Sequence, residues 1–206
     1  MPVRYCIWAA LLLLAAPAAG GQEPPATSHG YTVFVGGTVV GREEVTVQVT
    51  ADGITITGGG RLSGSLDIVM TRAEVRYRSD WTPELFEIEA TVDGGDMVLR
   101  TTFDGETAVT RGVDRGQQIE QTNVTPAQAL ILPNVFFGAY EALTRRLASA
   151  SVGQDFPAYL GTGLQGSLRV EGAGTERIQI GTSTFGVRRY ALSFTNQQGS
   201  HVVNVF

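Results

Sequence analysis

The sequence predicts a mainly β protein, an antiparallel meander accompanied by one amphipathic helix, on three observations. From Tyr31 to Val124, short runs rich in Val, Ile, Thr and Phe alternate apolar with polar residues, as half-buried strands do. Gly-Gly and Asp-Gly pairs punctuate those runs at short intervals, the signal of tight hairpins. A single stretch, beginning after Asn134, carries its apolar residues at helical spacing.

Tyr31–Val35 and Thr38–Thr50 flank Gly36-Gly37, a two-residue hairpin signal, and Val45, Val47 and Val49 alternate with Thr46 and Gln48. Asp52-Gly53 turns the chain into Ile54–Thr57, which Gly58-Gly59-Gly60 is expected to break. A longer strand follows over Ile68–Arg78, closed by a turn at Asp80-Trp81-Thr82-Pro83. Glu84–Val92 then places Phe86, Ile88, Ala90 and Val92 on one face and Glu87 and Glu89 on the other. Asp93-Gly94-Gly95 and Asp104-Gly105 bracket Met97–Phe103, and strands at Glu106–Arg111 and Gln117–Val124 complete the first sheet region.

Leu132-Pro133-Asn134 stops that region, and Asn134 is the expected N-cap of the helix. Phe136, Tyr140, Leu143 and Leu147 recur on one helix face, widened by Phe137; Glu141 and Arg145 pair at i, i+4; Gly153 closes the segment. With that face inward, Arg146 falls on the solvated side. Gly138 in the interior disfavours helix by about 1 kcal/mol relative to alanine, which implies that backbone from the sheet approaches there. Strands resume at Ser167–Glu171, Thr175–Ile180 and Phe185–Phe194, and a turn at Asn196–Gly199 leads into His201–Phe206.

The N-terminus reads as an address. One arginine, Arg4, precedes an apolar run from Ile7 to Ala16 that is too short to span a bilayer, and Ala16-Pro17-Ala18 supplies a small-residue cleavage pattern. Residues 1–20 are therefore expected to be a signal peptide, residues 21–30 a flexible Pro/Gly/Ser tether, and residues 31–206 a single domain, periplasmic or secreted. The sole cysteine, Cys6, lies inside the leader, so about 185 mature residues must be stabilised by a core without disulfides. Phe206 ends the chain in mid-alternation, an apolar edge that leads us to expect truncation at the C-terminal end.

Composition excludes several chemistries. All fifteen basic residues are arginine, so lysine Schiff-base chemistry is absent from this polypeptide. Beyond the leader, fourteen arginines face twenty carboxylates with no basic stripe, which argues against nucleic acid as a partner. No transmembrane span is expected after leader removal. Gly161-Thr162-Gly163-Leu164-Gln165-Gly166 matches a dinucleotide-binding string, but a strand rather than a helix follows it. No G-x-S-x-G elbow occurs, and His29 and His201 provide neither a catalytic couple nor metal-ligand spacing. Glu87 and Glu89 read as a solvated face instead of a glycosidase pair, and Asn123-Val124-Thr125 matches a glycosylation sequon. No catalytic residue, metal ligand or cofactor site is assigned.

The order of leader, Gly-Gly and Asp-Gly hairpins, amphipathic helix and further strands resembles the exported half-barrels typified by bacterial lipoprotein-localisation factors. Tyr31–Gly41, Asp80–Glu84, Ile131–Leu143 and Arg188-Arg189-Tyr190 more narrowly resemble an uncharacterised exported bacterial family, some members of which precede an α/β-hydrolase domain. The resemblance implies a curved antiparallel meander, a half-barrel wrapped around the helix, with an apolar space between the two. The expected function is that of a non-catalytic envelope protein binding a lipid or other apolar or acylated ligand there. Phe86, Ile88, Leu99 and Phe103 from the sheet and Phe137, Tyr140 and Leu143 from the helix are the expected lining. The alternative is an accessory module of an exported hydrolase whose catalytic domain is not in these residues.

Overall fold

The computed structural model describes residues 26–35, 38–64, 67–161, 163–197 and 199–206. The expected leader, tether residues 21–25, Gly36-Gly37 and Thr162 of the glycine-rich string lie outside the described residues.

Eight strands form the first sheet, each paired antiparallel with the next in chain order. They are β1 (Thr27–Val35), β2 (Thr38–Val49), β3 (Gly53–Leu62), β4 (Ile68–Arg78), β5 (Pro83–Val92), β6 (Gly95–Asp104), β7 (Thr107–Asp114) and β8 (Gln117–Val124). The sheet does not close, and the mainly β half-barrel expected from the alternation is what forms. Local chemistry sets the connections. Asp93 and Gly94 at φ 51° and 79°, and Arg115 and Gly116 at 47° and 79°, supply the two positive φ values that tight hairpins need.

A second sheet has the order β13-β12-β11-β10-β9, built from β9 (Leu130–Ile131), β10 (Asp155–Gly161), β11 (Leu164–Ile180), β12 (Ser183–Asn196) and β13 (Gly199–Val205). Among the described strands, only the β9–β10 pair is parallel. One core joins both sheets to the helix: Val45, Val47, Ile56, Val75, Phe86 and Ile88 share it with Leu143, Leu147, Phe156 and Leu192.

Several sequence expectations change. Thr27 to Gly30, assigned to the tether, already belong to β1 and pair with β2 from Thr27↔Val47 onward. The glycine run 58–60 does not break a strand but sits inside β3, where a bulge between Gly58 and Gly60 shifts its register with β4. The two strands expected over 167–171 and 175–180 are one 17-residue strand, β11, continuous through a bulge at Val170/Gly172.

The helix is also shorter than its periodicity predicts. Pro133 and an extended Phe136 precede a 3-10 turn, Phe137–Tyr140, and only Glu141–Leu147 is α-helical (α1), with Tyr140 rather than Asn134 at the N-cap. Gly138 explains the tight turn. A Cβ there would lie 2.5 Å from both the Phe136 ring and Val45 Cγ2, so the close neighbours are side chains and not the sheet backbone that was expected. Arg146 is not on the solvated side either: its guanidinium lies 5.9 Å from the Trp81 ring centroid and 4.8 Å from that of Phe156, and donates to the Gln128 carbonyl at 2.6 Å. Trp81 takes φ 68°, rare for a bulky side chain, while packing edge-on against Tyr77.

Candidate ligand cavity

The concave face of the first sheet is laid out in cross-strand rows. Ile88 of β5 stands opposite Leu99 of β6, and Phe86 opposite Thr101, which in turn faces Thr110 of β7. Pro133, Asn134 and Val135 cross above these rows, together with Leu160 and Leu164 from the β10–β11 connection. Between the two layers lies a cavity of about 190 Å³.

Three of the seven expected lining residues, Phe86, Ile88 and Leu99, meet there. The other four do not. Phe103 packs edge-on against Tyr159, with ring centroids 5.2 Å apart. Leu143 is 1% exposed within the common core. Phe137 and Tyr140 stack on each other with centroids 6.1 Å apart, and Phe137 is 36% exposed. The reason is geometric: side chains three apart eclipse in a 3-10 turn, so these two rings share one edge and leave Phe136 to enter the core. The wall opposite the sheet is therefore the extended segment ahead of the helix.

Polar groups that the sequence reading passed over give the cavity its chemistry. Thr101 Oγ1 and Thr110 Oγ1 lie 2.8 Å apart, and Thr110 Oγ1 lies 3.2 Å from the Tyr159 hydroxyl, all three residues being buried. The two hydrogen bonds among these three hydroxyls use two of their three O–H donors. Either oxygen of each pair can be the donor, and both Thr101 and Thr110 line the cavity. Strand parity could have found Thr101, since it lies between Leu99 and Phe103 on the inward-facing series; Tyr159 had no such signal.

Buried polar groups anchor the covering segment. Glu43, 1% exposed on β2, accepts the backbone N–H groups of Phe137 at 3.0 Å and Gly138 at 2.7 Å. Burial raises its pKa, and those two donors partly oppose the rise. The Tyr77 hydroxyl accepts the Ile131 N–H at 2.6 Å, and burial likewise pushes its pKa up. The Tyr31 hydroxyl donates to Glu141 at the start of α1. β1, β2 and β4 thus hold the β9-to-α1 segment at defined points.

Glu87 faces the opposite, solvated side of the sheet, where it pairs with Arg100 and lies 4.0 Å from Arg72, while Glu74 takes Arg72 and Arg76 at 2.6 and 2.7 Å. In the sequon, Thr125 is fully buried and Asn123 accepts from Gln121 at 3.1 Å.

No protein family, curated protein or solved structure matches this chain. The geometry of the cavity is accordingly the basis of the functional reading. Among the described residues, no cluster of His, Cys, Asp or Glu side chains has the composition of a metal site. Among the same described residues, no helix is long and apolar enough to cross a membrane.

Proposed function

We propose that this chain is an exported, non-catalytic binding module that grips the apolar end of a small ligand between its first sheet and the segment leading into α1. The observation that carries the reading is the cavity beside Phe86, Ile88 and Leu99. Its size narrows the ligand. At about 190 Å³ it is somewhat larger than the roughly 150 Å³ apolar cavity that accepts benzene. It is smaller than the roughly 300–1,000 Å³ of sites that enclose whole drug-sized molecules. A ring or the last few carbons of an acyl chain fits those limits better than a complete long chain. The Thr101 and Thr110 hydroxyls that line the cavity suit a carbonyl near that apolar end, and Asp114 and Asn134 provide a further polar part of the lining. Export rests on the apolar run Ile7–Ala16 and its small-residue boundary.

Displacement of a fluorescent acyl probe tests the proposal. Straight-chain competitors should gain about 0.8 kcal/mol per methylene over the first few carbons, then level off as the cavity fills. Ile88→Trp should abolish uptake in a protein that keeps its β-sheet circular dichroism. Absence of saturable binding to a folded sample, or binding indifferent to Ile88→Trp, would reject the reading.

A further inference from the structure

Asp114 is the one charged residue among the described residues that line the cavity between the first sheet and the segment ahead of α1. Strand parity places it there. Ala108, Thr110, Gly112 and Asp114 alternate along β7 on its inward face, where Ala108 and Thr110 are fully buried. Asp114 stands opposite Met97 of β6, which packs against the core. An antiparallel sheet with one solvated face keeps its charged side chains on that face, as Glu87 and Arg100 do here. A carboxylate turned inward beside an apolar space therefore calls for a cation.

The chain itself supplies a weak one. Arg115 Nε donates to Asp114 Oδ1 at 3.3 Å, with the arginine side chain 60% exposed and the aspartate side chain 25%. Exposed pairs of this kind contribute little. The surrounding charge reinforces the aspartate. Arg115 N–H donates to the Asp96 carbonyl at 2.8 Å and so brings two hairpin ends together, which carry Asp93, Asp96 and Asp114 against Arg115 alone. An excess of carboxylates around a cleft raises the local concentration of cations.

We infer that the ligand of this cavity is a cationic amphiphile, a primary amine on a short apolar chain, with its ammonium on Asp114 and its chain toward Thr101 and Thr110. The inference rests on the cavity being the binding site proposed above. Thr110 and Asp114 lie four residues apart on one strand, about 13 Å at roughly 3.3 Å per residue. Leu99, opposite Gly112, lies between them and offers an apolar surface to the chain. A hexylammonium ion spans that distance with a contact at each end. Its N–H donors can engage Asp114 and the Asn134 side-chain carbonyl together. A carboxylate in the same place would face Asp114 with no guanidinium among the described lining residues.

Isothermal titration near neutral pH with hexylamine, 1-hexanol and hexanoate tests the class. Hexylamine should bind saturably and about tenfold tighter than hexanol, the size of effect a charge-assisted hydrogen bond produces, and hexanoate should bind more weakly than either. Asp114→Asn, which keeps the side-chain shape, should bring hexylamine down to the affinity of hexanol. Glu120→Gln removes a carboxylate that is 73% exposed on the opposite face and should leave the preference intact. Ile88→Trp should abolish binding of all three. Hexanol and hexylamine binding equally, and both only while Ile88 is present, would overturn the amine assignment and leave the cavity reading standing. A preference that persists in Asp114→Asn, or hexylamine binding that survives Ile88→Trp, would overturn the assignment as well. Absence of saturable binding by any of the three would remove both readings.

Discussion

Glu43 shows how one side chain can commit a distant segment. Its carboxylate receives two backbone N–H groups at the start of the 3-10 turn, and the described residues provide it no salt bridge. Glu43→Ala would leave both donors buried or half-buried without an acceptor, at a cost of about 1–3 kcal/mol. Its titration has a defined sign. Because its folded pKa is raised above the ordinary 4.5, the folded state takes up the proton first. The stability contributed by this proton uptake is therefore fully present below the unfolded pKa and lost as pH rises through the folded one. Urea unfolding of wild type and Glu43→Gln from pH 7 down to 4.5 should shift the difference in favour of the wild type as pH falls. A difference that does not vary with pH would contradict the raised pKa.

Among the elements, the segment from Phe136 to Leu147 departs most from its local preferences. Gly138 and Gly58 make room for one ring, since a Cβ at Gly58 would come 2.8 Å from the Phe136 side chain and 2.7 Å from the Glu44 carbonyl. Helix propensity alone predicts that Gly138→Ala stabilises by about 1 kcal/mol. Overpacking against Phe136 and Val45 reverses the sign, and the variant should lose about 1–3 kcal/mol by thermal melting. Gly174→Ala is the internal control. Nothing lies within 4 Å of a Cβ at Gly174, so that change should be neutral or mildly stabilising. A more stable Gly138→Ala protein would mean that the turn relaxes into regular helix.

At the scale of the whole molecule, stability is uneven. The β10 pairing with β11 covers Leu164 to Arg169, and β13 pairs with β12 from Tyr190 to Asn196. From Gly174↔Arg189 outward to Ile180↔Ser183, β11 and β12 therefore have only each other within the second sheet. Most of these residues are exposed, and a two-stranded ribbon without a packed face is marginal in water. Hydrogen exchange should accordingly be fastest along 174–189 and slowest in β4 and β5, whose inward residues Ala73, Val75 and Ile88 are fully or almost fully buried. Uniform protection along β11 and β12 would show that the ribbon is covered in solution.

Much of this architecture was legible in the sequence because its signals are local. Alternation needs only neighbouring residues to distinguish the Phe86/Ile88 face from the Glu87 face, and Asp93-Gly94 carries its own turn preference. The same parity placed Phe86, Ile88 and Leu99 on the face that lines the cavity. The other wall could not be read that way. Its position depends on Glu43 reaching Gly138, 95 residues away, and on Tyr77 holding Ile131, 54 residues away. The apolar spacing from Phe136 to Leu147 implied one helix face. Tertiary packing of Phe136 against Gly58 instead turned the first part into a 3-10 turn and carried Phe137 and Tyr140 away from the cavity. Local periodicity thus determined which sheet face is apolar, whereas long-range hydrogen bonds and steric fit decided what stands opposite it, because those energies exist only once distant segments meet.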